Sequence, residues 1–239
     1  EGNLSLLGGS RSFGTQRACL VTDPCDSART VRHAELQFPL RRAYAMGMPA
    51  TSNHYWLPVD LEQLPEEAGC KYECIDGELL VTPAPRMVHV AALAALSFPV
   101  EQLLTARGSV RRVITSRADL LLEPTAVVEP DLFVLRAPAT AKTRLDDPAC
   151  VVLIAEVLSP RTAKRDRGIK RLFYQRVGVP EYWIVDLRAR LIERWTPADE
   201  RPEVLRERLV WRDPVTDAEL VLDVAQYFAD VWGDETPAE

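Results

Sequence analysis

The chain has 239 residues, 47% hydrophobic and 27% charged, enough apolar material for one generous core and too much for wholesale disorder. Its formal net charge is -6, so it is not a polycation built to coat nucleic acid, and any contact with a phosphate backbone must come from a local basic patch. No apolar stretch is expected to reach the ~18–20 residues of a membrane helix, and no membrane partner is expected.

Cys19, Cys25, Cys70, Cys74 and Cys150 are odd in number and scattered, the pattern of reduced thiols in a cytoplasmic protein. Cys70 and Cys74 lack a second ligand pair at zinc spacing, and His33, His54 and His89 are isolated, which argues against a zinc site.

Residues 1–50 mix Gly8-Gly9, Arg, Ser and Thr with short apolar fragments and hold no steady period, so they read as a poorly organised N-terminal extension. The sequence begins at Glu1, with Met46 and Met48 just ahead of the first organised segment, and signal-peptide features are missing. The first 45 residues are accordingly expected to be dispensable, with one domain over 54–232 and a C-terminal tail over 233–239.

Two strands joined by Asp76-Gly77 are predicted first, Lys71 to Ile75 and Glu78 to Thr82, because Asp-Gly suits a two-residue hairpin turn. Alternation places Glu73, Ile75, Glu78 and Leu80 on one mixed face and Tyr72, Cys74, Leu79 and Val81 on the core face. A helix over Met87–Arg107 follows, kinked or restarted by Pro99 and closed by Gly108. Strands are predicted at 110–115, 118–122 and 130–135, and Val151 to Leu158 reads as a central strand buried on both faces.

A helix at about 163–177 begins after Ser159-Pro160 and stops at Gly178. Strands at Tyr182–Asp186, Leu191–Thr196, 203–211 and 219–222 and a closing helix at Val224–Trp232 complete the chain. The layout is α+β, or mixed α/β, with one central sheet and helices packed against it.

Carboxylates interrupt strands that are otherwise apolar. Asp131 opens Leu132-Phe133-Val134-Leu135, and Glu156 lies inside Val151–Leu158. An ionised carboxylate there costs several kcal/mol unless something positive compensates it. The alternatives are a structural ion pair or a metal or proton role; on neighbouring strands such oxygens suit Mg²⁺ or Mn²⁺.

The segment Arg161–Arg176 is strongly basic, either a solvated face or a phosphate-binding surface. Ile169, Leu172, Phe173 and Val177 form its apolar stripe. Lys170, in the row Asp166-Lys170-Tyr174, borders that stripe and can reach the end of the sheet, while the other basic residues are expected to point outward. Ser159 reads as a turn or helix cap rather than a nucleophile, His89 as helping to begin a helix, and Trp183, Trp195 and Trp211 as core. No glycine-rich nucleotide loop is present.

Tyr72-Glu73-Cys74-Ile75-Asp76-Gly77-Glu78-Leu79, Pro130-Asp131, Glu156-Val157-Leu158-Ser159-Pro160, Asp166-Arg167-Gly168-Ile169-Lys170 and Gly178-Val179-Pro180-Glu181-Tyr182-Trp183 occur in that order. Together they resemble the Uma-two family of restriction-endonuclease-like proteins, a branch of the PD-(D/E)xK nuclease superfamily. The resemblance implies a restriction-endonuclease-like central mixed β-sheet flanked by helices, and Mg²⁺- or Mn²⁺-dependent hydrolysis of phosphodiester bonds in DNA. It implies Asp131 and Glu156 as metal carboxylates, the Val157 carbonyl as a further ligand, and Glu73 as the upstream acid, with Glu78 as second choice. The superfamily's lysine two residues after the second acid is replaced by Leu158, and Lys170 on the following helix takes that role. Arg161, Lys164, Arg165 and Arg171 would then hold flanking phosphates, and cutting two strands invites a homodimer. The alternative is a non-catalytic nucleic-acid-binding or accessory protein retaining the fold. A serine hydrolase using Ser159 lacks a nucleophile-elbow pattern.

Overall fold

The computed structural model describes residues 54–65, 70–108, 112–115 and 117–233. The extension expected over 1–50 and all but the first residue of the expected tail lie outside the described residues. The first half of the domain holds α1 (Pro58–Leu61), β1 (Lys71–Ile75), β2 (Glu78–Thr82), α2 (Met87–Ala106), β3 (Val113–Ile114), β4 (Leu120–Glu123), β5 (Ala126–Val128) and β6 (Leu132–Leu135). After β7 (Val151–Val157), α3 (Ala163–Arg165) runs through a π-helical turn, Asp166–Lys170, into α4 (Arg171–Arg176). The chain continues as β8 (Tyr182–Asp186), β9 (Leu191–Trp195), β10 (Glu203–Leu205), β11 (Arg208–Arg212), β12 (Glu219–Asp223) and α5 (Val224–Trp232).

Asp76 and Gly77 both take positive φ, 52° and 81°, as the tight turn of a hairpin requires. β1 and β2 pair in the predicted register, Ile75 opposite Glu78 and Glu73 opposite Leu80. The mixed face carrying Glu73 is also an interior one, however. Ile75 and Leu80 are fully buried and Glu73 nearly so, because the hairpin joins β5 and β4 in a four-stranded sheet whose inner side packs on the main sheet. Its outer side, Cys74, Leu79 and Val81, is covered by Trp56 and the residues of α1.

The main sheet has six strands in the order β10-β9-β8-β7-β6-β3, antiparallel except for β7 against β8. That parallel pair needs a crossover, which the helix from Ala163 to Arg176 supplies. β7 is buried along its whole length, as its aliphatic run predicts. One face of the sheet carries α2, α5 and residues of the separate β11–β12 ribbon; the other meets the inner side of the four-stranded sheet and α4. The expected single sheet is thus three, and the strand expected over 203–211 breaks at Arg206-Glu207 into β10 and β11.

α2 runs unbroken through Pro99. Ala92, Leu96, Val100 and Leu104, spaced by four, are buried on both sides of the proline, so packing overrides the local loss of a hydrogen bond. With 20 residues and a mean hydropathy of 1.5, α2 also reaches membrane-spanning length by composition, contrary to expectation. Its apolar side nevertheless belongs to the core packed on the sheet.

Candidate active site

Leu132 pairs with Ala155 across β6 and β7, so the next cross-strand positions are Asp131 and Glu156. They share the parity of Phe133 and Ile154, whose side chains pack in the layer beneath the hairpin. Asp131 is pinned there by the Val157 N–H, which donates to Oδ2 at 2.9 Å. Glu73 approaches from β1 above, where its Oε1 accepts the Glu129 N–H at 2.8 Å. Its other oxygen, Oε2, is buried and meets no hydrogen-bond donor among the described residues.

The helix after β7 brings the opposing charge. Lys170 Nζ lies 2.7 Å from Glu156 Oε1 and 2.8 Å from Glu73 Oε1, and the Tyr174 hydroxyl donates to Glu156 Oε1 at 3.3 Å. Asp166 and Lys170 are both buried on the π-helical turn, a local widening that recurs at functional sites. Asp131 has its own partners: Lys71 Nζ at 2.6 Å from Oδ1 and His89 Nε2 at 3.1 Å from Oδ2. Lys71 also donates to the Glu129 carbonyl at 3.1 Å. Among the described residues, no three His, Cys, Asp or Glu side chains form a cluster ready to hold an ion. Lys170 stands between the two glutamates, and Lys71 and His89 bond the aspartate.

The environment separates the two strand-borne acids. Burial pushes the Glu156 carboxyl up to about 8, against the pull of the Lys170 ammonium and with the push of Asp131 and Asp166. Burial would also raise Asp131, but the His89 hydrogen bond and the Lys71 ammonium outweigh it and hold that carboxyl well below its ordinary range. At Lys170, desolvation is overcome by Glu156, Glu73 and Asp166, and the ammonium is held well above its ordinary value. Burial, reinforced by the same three carboxylates, raises Tyr174 and keeps it a phenol.

The structure therefore gathers Glu73, Asp131, Glu156 and Lys170 into one cluster. Glu78 lies opposite Ile75 at the hairpin turn and is half-buried. Arg161 and Lys164 are exposed, but two of the four residues expected to hold phosphates are committed within the protein. Arg165 is buried and donates to the Val81 carbonyl at 3.0 Å and Thr82 Oγ1 at 2.8 Å, clamping the helix to the hairpin. Arg171 donates to the Arg167 carbonyl and Gln175 and lies over the Trp195 ring at 4.7 Å. Arg167 is likewise held by Asp186 and Glu193, so the basic residues of this segment do not all point outward.

Ser159 accepts the Thr162 N–H on its hydroxyl at 3.2 Å, the behaviour of a turn residue. His89 does stand in the first turn of α2, but its contact with Asp131 was not legible as a local pattern. Lys71 was also missed, although it precedes Glu73 by two residues on one strand and so shares its face.

Three layers of sheet and helix around paired strand carboxylates define a restriction-endonuclease-like α+β protein. The chain belongs to the Uma2 family, described as "Putative restriction endonuclease", which it matches over residues 58–225. Its fold is similar to the crystal structure of "a putative nuclease belonging to DUF820" from Anabaena variabilis ATCC 29413. That likeness has a TM-score of 0.56 at 20% identity and covers 72% of this chain and 97% of the other. No curated protein matches the chain. Family membership supports a nuclease function.

Proposed function

We propose that the domain over 54–232 is a divalent-metal-dependent endonuclease hydrolysing phosphodiester bonds in DNA. The observation that carries this is Glu73 Oε2, a buried carboxylate oxygen without a donor among the described residues, in a side chain whose charge acts on Lys71 together with those of Glu156 and Asp131. An all-oxygen set of this kind suits Mg²⁺ or Mn²⁺, and Glu73, Asp131, Glu156 and the Val157 carbonyl would hold it. When bound, the ion supplies an activated water and neutralises charge developing on the phosphate.

The chain's own residues do the rest. Lys170 and Tyr174 fix Glu156, and the Val157 N–H fixes Asp131, so the acids keep their relative orientation. Arg161 and Lys164, exposed beside this helix, meet flanking phosphates and give a net-acidic protein its local basic contact. Working in the cytoplasm as a homodimer, two such centres would cut both strands.

A second reading, a non-catalytic nucleic-acid-binding protein, is favoured by Lys71 and Lys170, which already pair with the acids. Nicking of supercoiled plasmid in Mg²⁺ or Mn²⁺ decides between them. The endonuclease reading expects cleavage by the wild type and its loss in Asp131→Asn and Glu156→Gln. Salt-sensitive DNA binding by an inert wild type would establish the second reading instead.

A further inference from the structure

The centre contains two lysines in different situations. The Lys170 side chain is 4% exposed and its ammonium is taken by two carboxylates from opposite layers. That burial leaves almost no surface through which a solvent-borne phosphate could approach it. The Lys71 side chain is 17% exposed, at the first position of β1, and has a single carboxylate partner, Asp131. Its ammonium carries three donors, and the described residues engage two, through Asp131 and the Glu129 carbonyl.

Glu129 also binds Arg117, Nε to Oε2 at 2.9 Å, and the Arg117 side chain is 54% exposed. Lys71 and Arg117 are thus tied through one residue on the Asp131 side of the centre, each of them also paired with a carboxylate.

We propose that Lys71, not Lys170, is the lysine that touches the phosphate of a bound nucleic acid, Lys170 being a positioning residue for Glu73 and Glu156. The proposal rests on the nuclease reading for its catalytic consequence but not for the contact itself. A compact ammonium on a flexible stem can leave one carboxylate for a phosphate oxygen while its backbone stays in β1. A cation taking Asp131 would favour that departure, because two positive groups cannot share the oxygen without repulsion.

The test uses the full chain, comparing wild type with Lys71→Met, Lys71→Gln and Lys71→Arg. Binding of a short fluorescein-labelled DNA duplex is followed by anisotropy against salt, with Ca²⁺ in place of Mg²⁺, beside plasmid nicking in Mg²⁺. Lys71→Met is expected to weaken binding and reduce the salt slope by about 1. It should slow nicking ~100-fold, the loss typical of one preorganised electrostatic contact, while Lys71→Arg recovers the slope. Lys71→Gln gives the same reading if the methionine variant does not fold. An unchanged slope and an unchanged nicking rate in the neutral variants would overturn the inference while leaving the nuclease reading intact. A wild type that never nicks, with the slope change present, would sink the nuclease reading and leave the Lys71 contact standing. A wild type that neither nicks nor binds overturns both.

Discussion

Glu73 on the hairpin and Lys170 on the π-helical turn meet at 2.8 Å, with both side chains almost out of reach of water. The pair joins the smaller sheet to the crossover helix directly above Glu156. Replacing Lys170 by methionine keeps the volume but removes the partner of the buried Glu73 carboxylate and of Glu156. Lys170→Met should therefore lose ~3–5 kcal/mol of unfolding free energy in urea without metal. Adding Glu73→Gln to that variant should restore part of the loss. Equal stability of Lys170→Met and wild type would mean that the ion pairs hold nothing together.

Stability should also depend on pH through Glu156. Its folded carboxyl titrates at about 8 against an ordinary value of 4.5, so the folded state binds the extra proton between those values. Linkage then requires the Glu156 contribution to be full below 4.5 and to fade as pH rises through about 8. Glu156→Gln, which mimics the protonated acid, should remove this part of the slope. Parallel pH profiles for the two proteins would contradict the assignment.

If the acids take up a divalent ion, added Mn²⁺ should raise the melting temperature of wild type. Saturation at 100 times the dissociation constant is worth ~2.7 kcal/mol. Asp131→Asn should lose that response while still melting cooperatively. A shift that survives in Asp131→Asn would place the ion elsewhere.

Away from the centre, Arg112 grips Asp213 with both terminal nitrogens, at 2.7 and 2.8 Å, in full burial. The fork fastens the β11–β12 ribbon to the edge of the six-stranded sheet. Asp213→Ala, which leaves the guanidinium without its partner, should destabilise by ~3–5 kcal/mol. Arg112 and Thr216 hold the Asp213 carboxyl below its ordinary value despite the desolvation that opposes them. The stabilisation is therefore present above 3.8 and disappears only as pH falls through the lower folded value. Acid titration of wild type against Asp213→Asn, followed by tryptophan fluorescence, checks this.

Local signals carried much of this molecule. Asp76-Gly77 determined the hairpin and its register, and the aliphatic run around Glu156 marked a fully buried strand. Asp131 and Glu156 stood out because charge in an apolar strand needs a reason, Glu73 and Lys170 through the family resemblance, and the four lie together. What escaped was tertiary. Periodicity could not reveal that the four-stranded sheet closes over the main one, which turned the mixed face of the hairpin into an interior. The same layering drew Arg165 inward to the Val81 carbonyl, where a helical wheel places it in solvent. His89 reaches Asp131 only because tertiary packing sets the first turn of α2 beside the residue that precedes β6, which no short window records.

The charged centre draws its members from β1, α2, the start of β6, β7 and the turn after it, with nothing complete in any one stretch. During synthesis, a growing chain that lacks the crossover helix holds its acids without Lys170, so no early fragment can assemble the finished charged centre.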